Sequence, residues 1–452
     1  MTELPPLDGL NNEEKDTLIR GLWQELQTLR AEVEKLQQKR VKKTSRNSSL
    51  PPAQGFKPNQ NRSESATTAS VRHRDGGRPL TPHPHQVVVA QAQSCPHCQT
   101  PVTAADQQLT GCYERIELPR VEPIITRVER YGGTCPHCQQ CYESPVPVGL
   151  EPGSPFGPRI ASLVTYLRYS HAVSYQRLRH LLAELYGLTL SEGAIANLLR
   201  RTHAQLSAPI AQIQQRVRQS RLVCSDETGA RVEGKNQWEW VFQNDQVCLH
   251  VIRPSRSKAV IDEVMAEHRP QVWVSDLFSA QKAHPAEQWQ VCLAHQLRDC
   301  QYAIDAGDDY FAPRMKRLLL RAIALQRRRH RLAASTVQQY CSRLRSGLRE
   351  ILNLQPQHED GQRLLKRYQQ IRAHLLLFLE DETVPPTNNS SEQALRWSVV
   401  FRKVTHGFRS DWGAELFAQV RSLINTAQRQ GISALEAIAR TLTSKQANWL
   451  LG

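Results

Sequence analysis

Between residues 12 and 40 the apolar side chains recur at Ile19, Leu22, Leu26, Leu29, Val33 and Leu36. Steps of three and four alternate, which lines up one seam of a coiled-coil helix. Glu25, Arg30, Glu32, Glu34 and Lys35 fill the flanking polar positions. The pattern predicts a short helix that either self-associates or packs on its own chain. The period then stops. Over residues 41–93 stretches such as SRNSSLPPAQG and GRPLTPHPH carry no apolar repeat, and their prolines block helix continuation. A flexible basic linker is expected there.

A different pattern occupies residues 94–148. CPHC occurs twice, placing Cys95 with Cys98 and Cys135 with Cys138. Each Cys-x-x-Cys is a tight turn that aims two sulfurs at one point. Two such turns joined by strands make a zinc-ribbon-like module, with four thiolates around one structural Zn²⁺. The intervening GCYERIELPRVEPIITRVERYGG is rich in β-branched residues and reads as strands. Cys112, Cys141, His97 and His137 are spare, although Cys141 could replace a neighbour. Residues 155–218 then read as a helical domain of three helices. Gly187 is placed to end the second helix, and Ser191 to cap the third. With Arg200 and Arg201 on that third helix, the unit resembles a helix-turn-helix that touches DNA. A plain helical domain is the alternative.

From residue 219 the period changes to that of strands. RLVCSDE, QWEWVFQND and QVCLHVIRP follow one another, then a helical SKAVIDEVMAEH, then the strand QVWVSD. A three-strand meander, a crossover helix and a fourth strand open the ribonuclease-H-like fold. Asp226 would close the first strand and Asp276 the fourth, and those two strands are neighbours in such a sheet. Glu392 lies in the first turn of a helix announced by PPTNNSSEQALRW. Three converging carboxylates repel one another unless cations neutralise them. Two Mg²⁺ ions (or Mn²⁺) would do so, and would clamp the oxygens of a phosphodiester. Glu227, next along the strand from Asp226, points to the opposite face. The catalytic core is thus expected over 219–299 and 381–428, split by a helical insertion at 300–380 and followed by a C-terminal tail at 429–452. The fold class is multidomain α/β.

Charge sharpens this picture. The 452 residues carry a formal net charge of +15. Residues 37–94 alone have ten Lys/Arg against two acidic residues, and 300–372 have fifteen against six. Patches of this kind favour a polyanion partner. Arg327, Arg328, Arg329 and Arg331 would face DNA from the insertion, and Arg396, Arg402 and Lys403 from beyond Glu392. Cys292 and His295, in CLAHQLRDC, are too few for a structural zinc and suggest packing or support of the active site. No apolar run approaches the roughly 20 residues of a membrane span. The acidic, polar start does not resemble a secretory signal. Eleven cysteines without such a signal suggest thiols or metal ligands in the cytoplasm.

SDETGARVEGKNQWEWVF, CLAHQLRDC and TNNSSEQALRWSVVFRKVTHGFRSDWGAELFAQVRSLINTA resemble signature stretches of the insertion-sequence-66 family of bacterial transposases. The order of zipper-like helix, linker, Cys-x-x-Cys ribbon, helical domain and acidic core is similar along nearly the whole chain. The resemblance implies a DNA transposase that binds the terminal inverted repeats of its element, then performs metal-dependent strand cleavage and strand transfer. It implies Asp226, Asp276 and Glu392 as the metal ligands and double-stranded DNA as partner. Assembly as a homo-oligomer, with small accessory proteins from the same element, is in keeping with it. Two positions depart from the family pattern: Thr387 stands where Asp is usual, and Leu277-Phe278 follow the second aspartate. A nuclease without the joining step and a non-enzymatic DNA-binding regulator are the rival readings.

Overall fold

The computed structural model describes residues 11–38, 47, 78–284 and 286–443. The linker expected at 41–93 falls outside these as far as residue 77, apart from Asn47. Helix α1 (Asn12–Gln38) forms where the heptads predict it. Asn11 and Glu14 cap its start reciprocally, each side chain accepting the other's backbone N–H at 2.9 Å. Ile19, Leu22, Leu26 and Leu29 stand exposed, so nothing described in this chain covers that part of the seam. The side chains of Val33 and Leu36 lie outside the described residues.

The strands expected between the two CPHC turns do not form. Residues 107–131 contain none, and only β1 (Gly132–Thr134) and β2 (Cys141–Glu143) pair, around the second turn. Pro119 and Pro123 remove two ladder donors from this stretch. Its apolar side chains also lack a facing layer, so Ile116, Leu118, Ile124 and Ile125 are exposed. Alternation without a second surface to bury it does not make a sheet.

Three helices follow as expected: α2 (Pro158–His171), α3 (Tyr175–Tyr186) and α4 (Glu192–Arg218). Gly187 ends α3 with φ +64°, and Ser191 Oγ caps α4 by accepting the Ala194 N–H. The third helix is longer than its apolar run suggests and carries Pro209 within it.

The next elements are β3 (Leu222–Val232), β4 (Lys235–Gln243), β5 (Cys248–Arg253), α5 (Lys258–Met265), β6 (Val272–Ser275), α6 (Ser279–Lys282) and β7 (Gln288–Val291). The strands form one sheet in the order β5-β4-β3-β6-β7. The first three are antiparallel, and β6 and β7 are added in parallel. Glu233 and Gly234, both at positive φ, make the two-residue β3–β4 turn. Asp226 does not close its strand, because β3 runs on to Val232 as a ribbon with β4. Pairing with β6, however, stops at Cys224↔Val274. The short β7 was not legible in advance.

The remainder is helical: α7 (Leu293–Asp305), α8 (Phe311–Arg328), α9 (Ala334–Leu352), α10 (Glu359–Ile371), α11 (Asn389–Thr405), α12 (Asp411–Arg429) and α13 (Ala434–Thr443). The insertion shares a core with the sheet, where Phe311, Met315, Leu319 and Tyr368 join Val272, Val274 and Val291. The expected tail at 429–452 is not a loose end over its described part. Ala437 and Ile438 of α13 are buried in one core with Val164 of α2, Leu198 of α4 and Phe417 of α12. Helix α11 is tied to β3 beyond its C-terminus, through Phe408 N–H to Arg231 O (2.8 Å) and Glu233 N–H to Phe408 O (2.9 Å). Only glycine fits at 407, where φ is +100° and a Cβ would sit 2.5 Å from Arg231 O. No described helix is long and apolar enough to cross a membrane.

Candidate active site

Side chains alternate along β3, so Leu222, Cys224 and Asp226 share one face while Ser225 and Glu227 take the other. Asp276 is the first residue after β6. The register Cys224↔Val274 therefore brings Asp226 and Asp276 to matching positions just past the paired segment. Glu392 sits in the first turn of α11, which packs across β3 and β4.

A short chain of hydrogen bonds ties the three carriers together. Cys292, which caps α7, donates its N–H to Ser275 O at 2.8 Å, beside Asp276. Its Sγ accepts the N–H of Asn388 at 3.1 Å. The buried Asn388 donates its side-chain amide to Ser225 O at 2.7 Å, beside Asp226, and accepts from Ser391 Oγ at 2.6 Å. Glu392 lies on the turn that Asn388 opens, with its N–H to Asn388 O at 3.2 Å. Each acid is thus next to, or one turn from, a residue of this chain.

The electrostatics follow from that convergence. Burial, then the charges of Glu227, Asp276 and Glu392, hold the Asp226 carboxyl well above the usual carboxylate range. The Glu227 N–H, 2.9 Å from Asp226 Oδ1, opposes them. Asp276 Oδ1 accepts the Phe278 N–H at 2.9 Å. Glu392 reaches Arg298 Nη2 at 3.4 Å and His295 Nδ1 at 3.8 Å. Burial keeps His295 below its ordinary pKa, against the pull of Asp276 and Glu392. Glu227 is held differently. Arg256 (2.7 Å) and Gln281 (2.8 Å) bind its two oxygens, and Arg256 lies over the rings of Trp238 and Phe278. Its pKa is raised by burial and Asp276, and these two partners restrain it.

The structure places Asp276 and Glu392 within electrostatic range of Asp226, although the ligand atoms of the three acids do not all come within 4.8 Å of one another. Beside Glu392 stand His295, singled out in CLAHQLRDC for packing or active-site support, and Arg298, three residues further along the same helix face. Among the described residues, three metal-capable side chains come within 4.8 Å of one another only at Cys292, His295 and Glu392. Burial pushes the Cys292 thiol up to about 11, so it serves here as a neutral acceptor. The knuckle cysteines do not form such a group. Each CPHC nevertheless adopts the same turn, with Gln99 and Gln139 at positive φ and Cys95 and Cys135 accepting their N–H groups. Hydrogen bonds lower two of the thiols, from Thr100 and Cys95 at Cys98, and from the N–H groups of Cys138 and His137 at Cys135.

Some expected DNA-facing cations have partners inside the protein. Arg329 donates to the carbonyls of Phe378 and Leu379, and Arg200 lies over Trp412. Arg402 is half-buried and influenced by Glu239. Arg201, Arg327, Arg328, Arg331, Arg396 and Lys403 are exposed. A family model described as the transposase IS66 family matches residues 153–416, more than half of the chain. No curated protein matches it.

Proposed function

The chain belongs to the transposase IS66 family, and from that premise we propose that it cuts the ends of its DNA element and joins them to a target, with Asp226, Asp276 and Glu392 as its catalytic carboxylates. One observation carries the reading. Asp226 is pushed towards its protonated form partly by Asp276 and Glu392, an arrangement that costs stability unless a cation repays it. Its oxygen-only donor set suits a hard divalent ion. Two Mg²⁺ or Mn²⁺ ions would neutralise the acids and stabilise charge on the attacking and leaving oxygens. The sheet order agrees with a ribonuclease-H-like core split by the helical insertion.

The protein's own part is to hold the acids rigidly. Arg298 orients Glu392, and the Cys292–Asn388 link keeps α7 and α11 in register with the strands. Water, and then the freed 3′-hydroxyl, would attack phosphorus in line without a covalent enzyme intermediate. The exposed Arg residues of the insertion and of α11 would track the phosphates of double-stranded DNA. The uncovered seam of α1 would pair with a second copy, and small accessory proteins of the element are further candidate partners. Cys95, Cys98, Cys135 and Cys138 would close around one Zn²⁺, gathering a segment that has little core of its own.

The test is incubation of the full chain with its flanking inverted repeats and Mg²⁺, followed by mapping of nicked and joined strands. Mg²⁺-dependent 3′ ends at the element boundary and joined products are expected. Cleavage that persists in Asp226→Asn would refute the site. Cleavage without joined products would reduce the protein to a nuclease. Elemental analysis of the same preparation should find close to one zinc per chain.

A further inference from the structure

A cleft of about 990 Å³ opens between α11, α12 and the start of β3. Leu222 and Cys224 belong to its floor, on the strand face that also carries Asp226. That acid lies two positions along the strand from Cys224, about 7 Å. Three guanidinium groups line the cleft, Arg221, Arg421 and Arg429, against the single carboxylate of Asp245.

Two of these cations are already engaged. Arg221 pairs with Asp381 at 2.8 Å, and Arg429 donates to the carbonyls of Asn244 and Asn425. Arg421 differs. It is only 8% exposed, its Nη2 donates to Asn425 Oδ1 at 2.9 Å, and its Nε has no hydrogen-bond partner among the described residues. Glu239 and Cys248 act on it through space, but the carboxylate is held by His250 and Ser398, each at 2.8 Å, and the Cys248 sulfur lies 3.5 Å from His250 Nε2. A buried guanidinium without a matching anion is costly. Its planar fork suits an anion that presents two oxygens. The volume far exceeds a bare phosphate and is enough for a nucleotide.

We propose that this cleft binds the phosphate of a nucleotide, with Arg421 as the principal donor. The phosphate could belong to a DNA strand running past Asp226 or to a free nucleotide. Only the first source rests on the transposase reading.

The test follows the phosphorus-31 linewidth of inorganic phosphate with the full-length chain, in the absence of divalent metal. Saturable broadening is expected. Binding should weaken about tenfold or more in Arg421→Met. Because that residue is buried, Gln428→Glu serves as a second variant: Gln428 is exposed at the rim, and a carboxylate there repels phosphate without disturbing packing. Equal broadening in wild type and both variants, or none in wild type, overturns the proposal. Competition by a short single-stranded oligonucleotide assigns the site to the strand, whereas competition by a deoxynucleoside monophosphate alone assigns it to a free nucleotide. Metal-free binding and Mg²⁺-dependent cleavage are separate readouts, so either idea can fail while the other stands.

Discussion

On one face of β3, Asp226 meets Asp276 and Glu392 with a single backbone N–H to offset them; on the other, Glu227 rests between Arg256 and Gln281. The two residues are adjacent in sequence and similar in chemistry. Alternation along the strand gives one to the interior's own hydrogen bonds, which partly offset burial and Asp276, and leaves the other facing like charge without such partners. A compensated carboxylate supports the fold. An uncompensated one costs stability, and on the proposed reading a bound cation offsets that cost.

The largest effect should come from removing the uncompensated charge. Asp226→Asn is expected to lower cleavage by about 10³-fold or more while binding to the element ends persists. The same change should raise the thermal midpoint of metal-free protein by a few degrees, on the order of 1 kcal/mol, because it removes repulsion. A lowered midpoint in calorimetry would break the contrast between the faces. Glu227→Gln should do the reverse. Cleavage stays within about tenfold of wild type, and denaturant unfolding shows a loss on the order of 1–3 kcal/mol, since Arg256 loses a buried partner.

Asn388→Ala tests the link between the carriers of the acids. Losing the bonds to Ser225 O and Ser391 should cost about 1–2 kcal/mol and raise the Mg²⁺ concentration needed for half-maximal cleavage. An unchanged metal requirement would show that the acids are positioned without it.

The smallest effect concerns Glu239, a carboxylate compensated by histidine, 2.8 Å from His250 Nδ1. Burial opposes charge on His250, yet the Cys248 thiol and Glu239 hold its pKa up at about 9. A raised histidine stabilises the fold fully below its unfolded value of about 6.5 and loses that contribution as pH rises through about 9. Taken alone, His250 makes unfolding free energy decline between those limits. Cys248, lowered against burial by the same histidine, contributes with the opposite sign, and His250→Gln should change the slope. An equal slope in the variant would place the titration elsewhere.

Much of this arrangement could be read from the sequence, where a local signal coincided with the final contact. The β-branched runs around Asp226 and Asp276 specify strands, and adjacency of the first and fourth followed from their order. Gly187 and Ser191 mark helix ends through backbone chemistry that is complete within a few residues. What could not be read depended on distant partners. Nothing near Glu227 announces Arg256, and nothing near Cys292 announces Asn388, 96 positions away. The stretch between the CPHC turns failed for the opposite reason: it has the alternation of strands without the second layer that alternation requires.

Both ends of α11 are fastened to the same strand, by Asn388 to Ser225 and by Phe408 to Arg231 and Glu233. The helix therefore acts as a strut cut to the length of β3, and the strut sets where Glu392 stands relative to Asp226. The helical insertion at 300–380 supplies neither of these anchors. A change in the length of that insertion would then leave the spacing between Glu392 and Asp226 untouched.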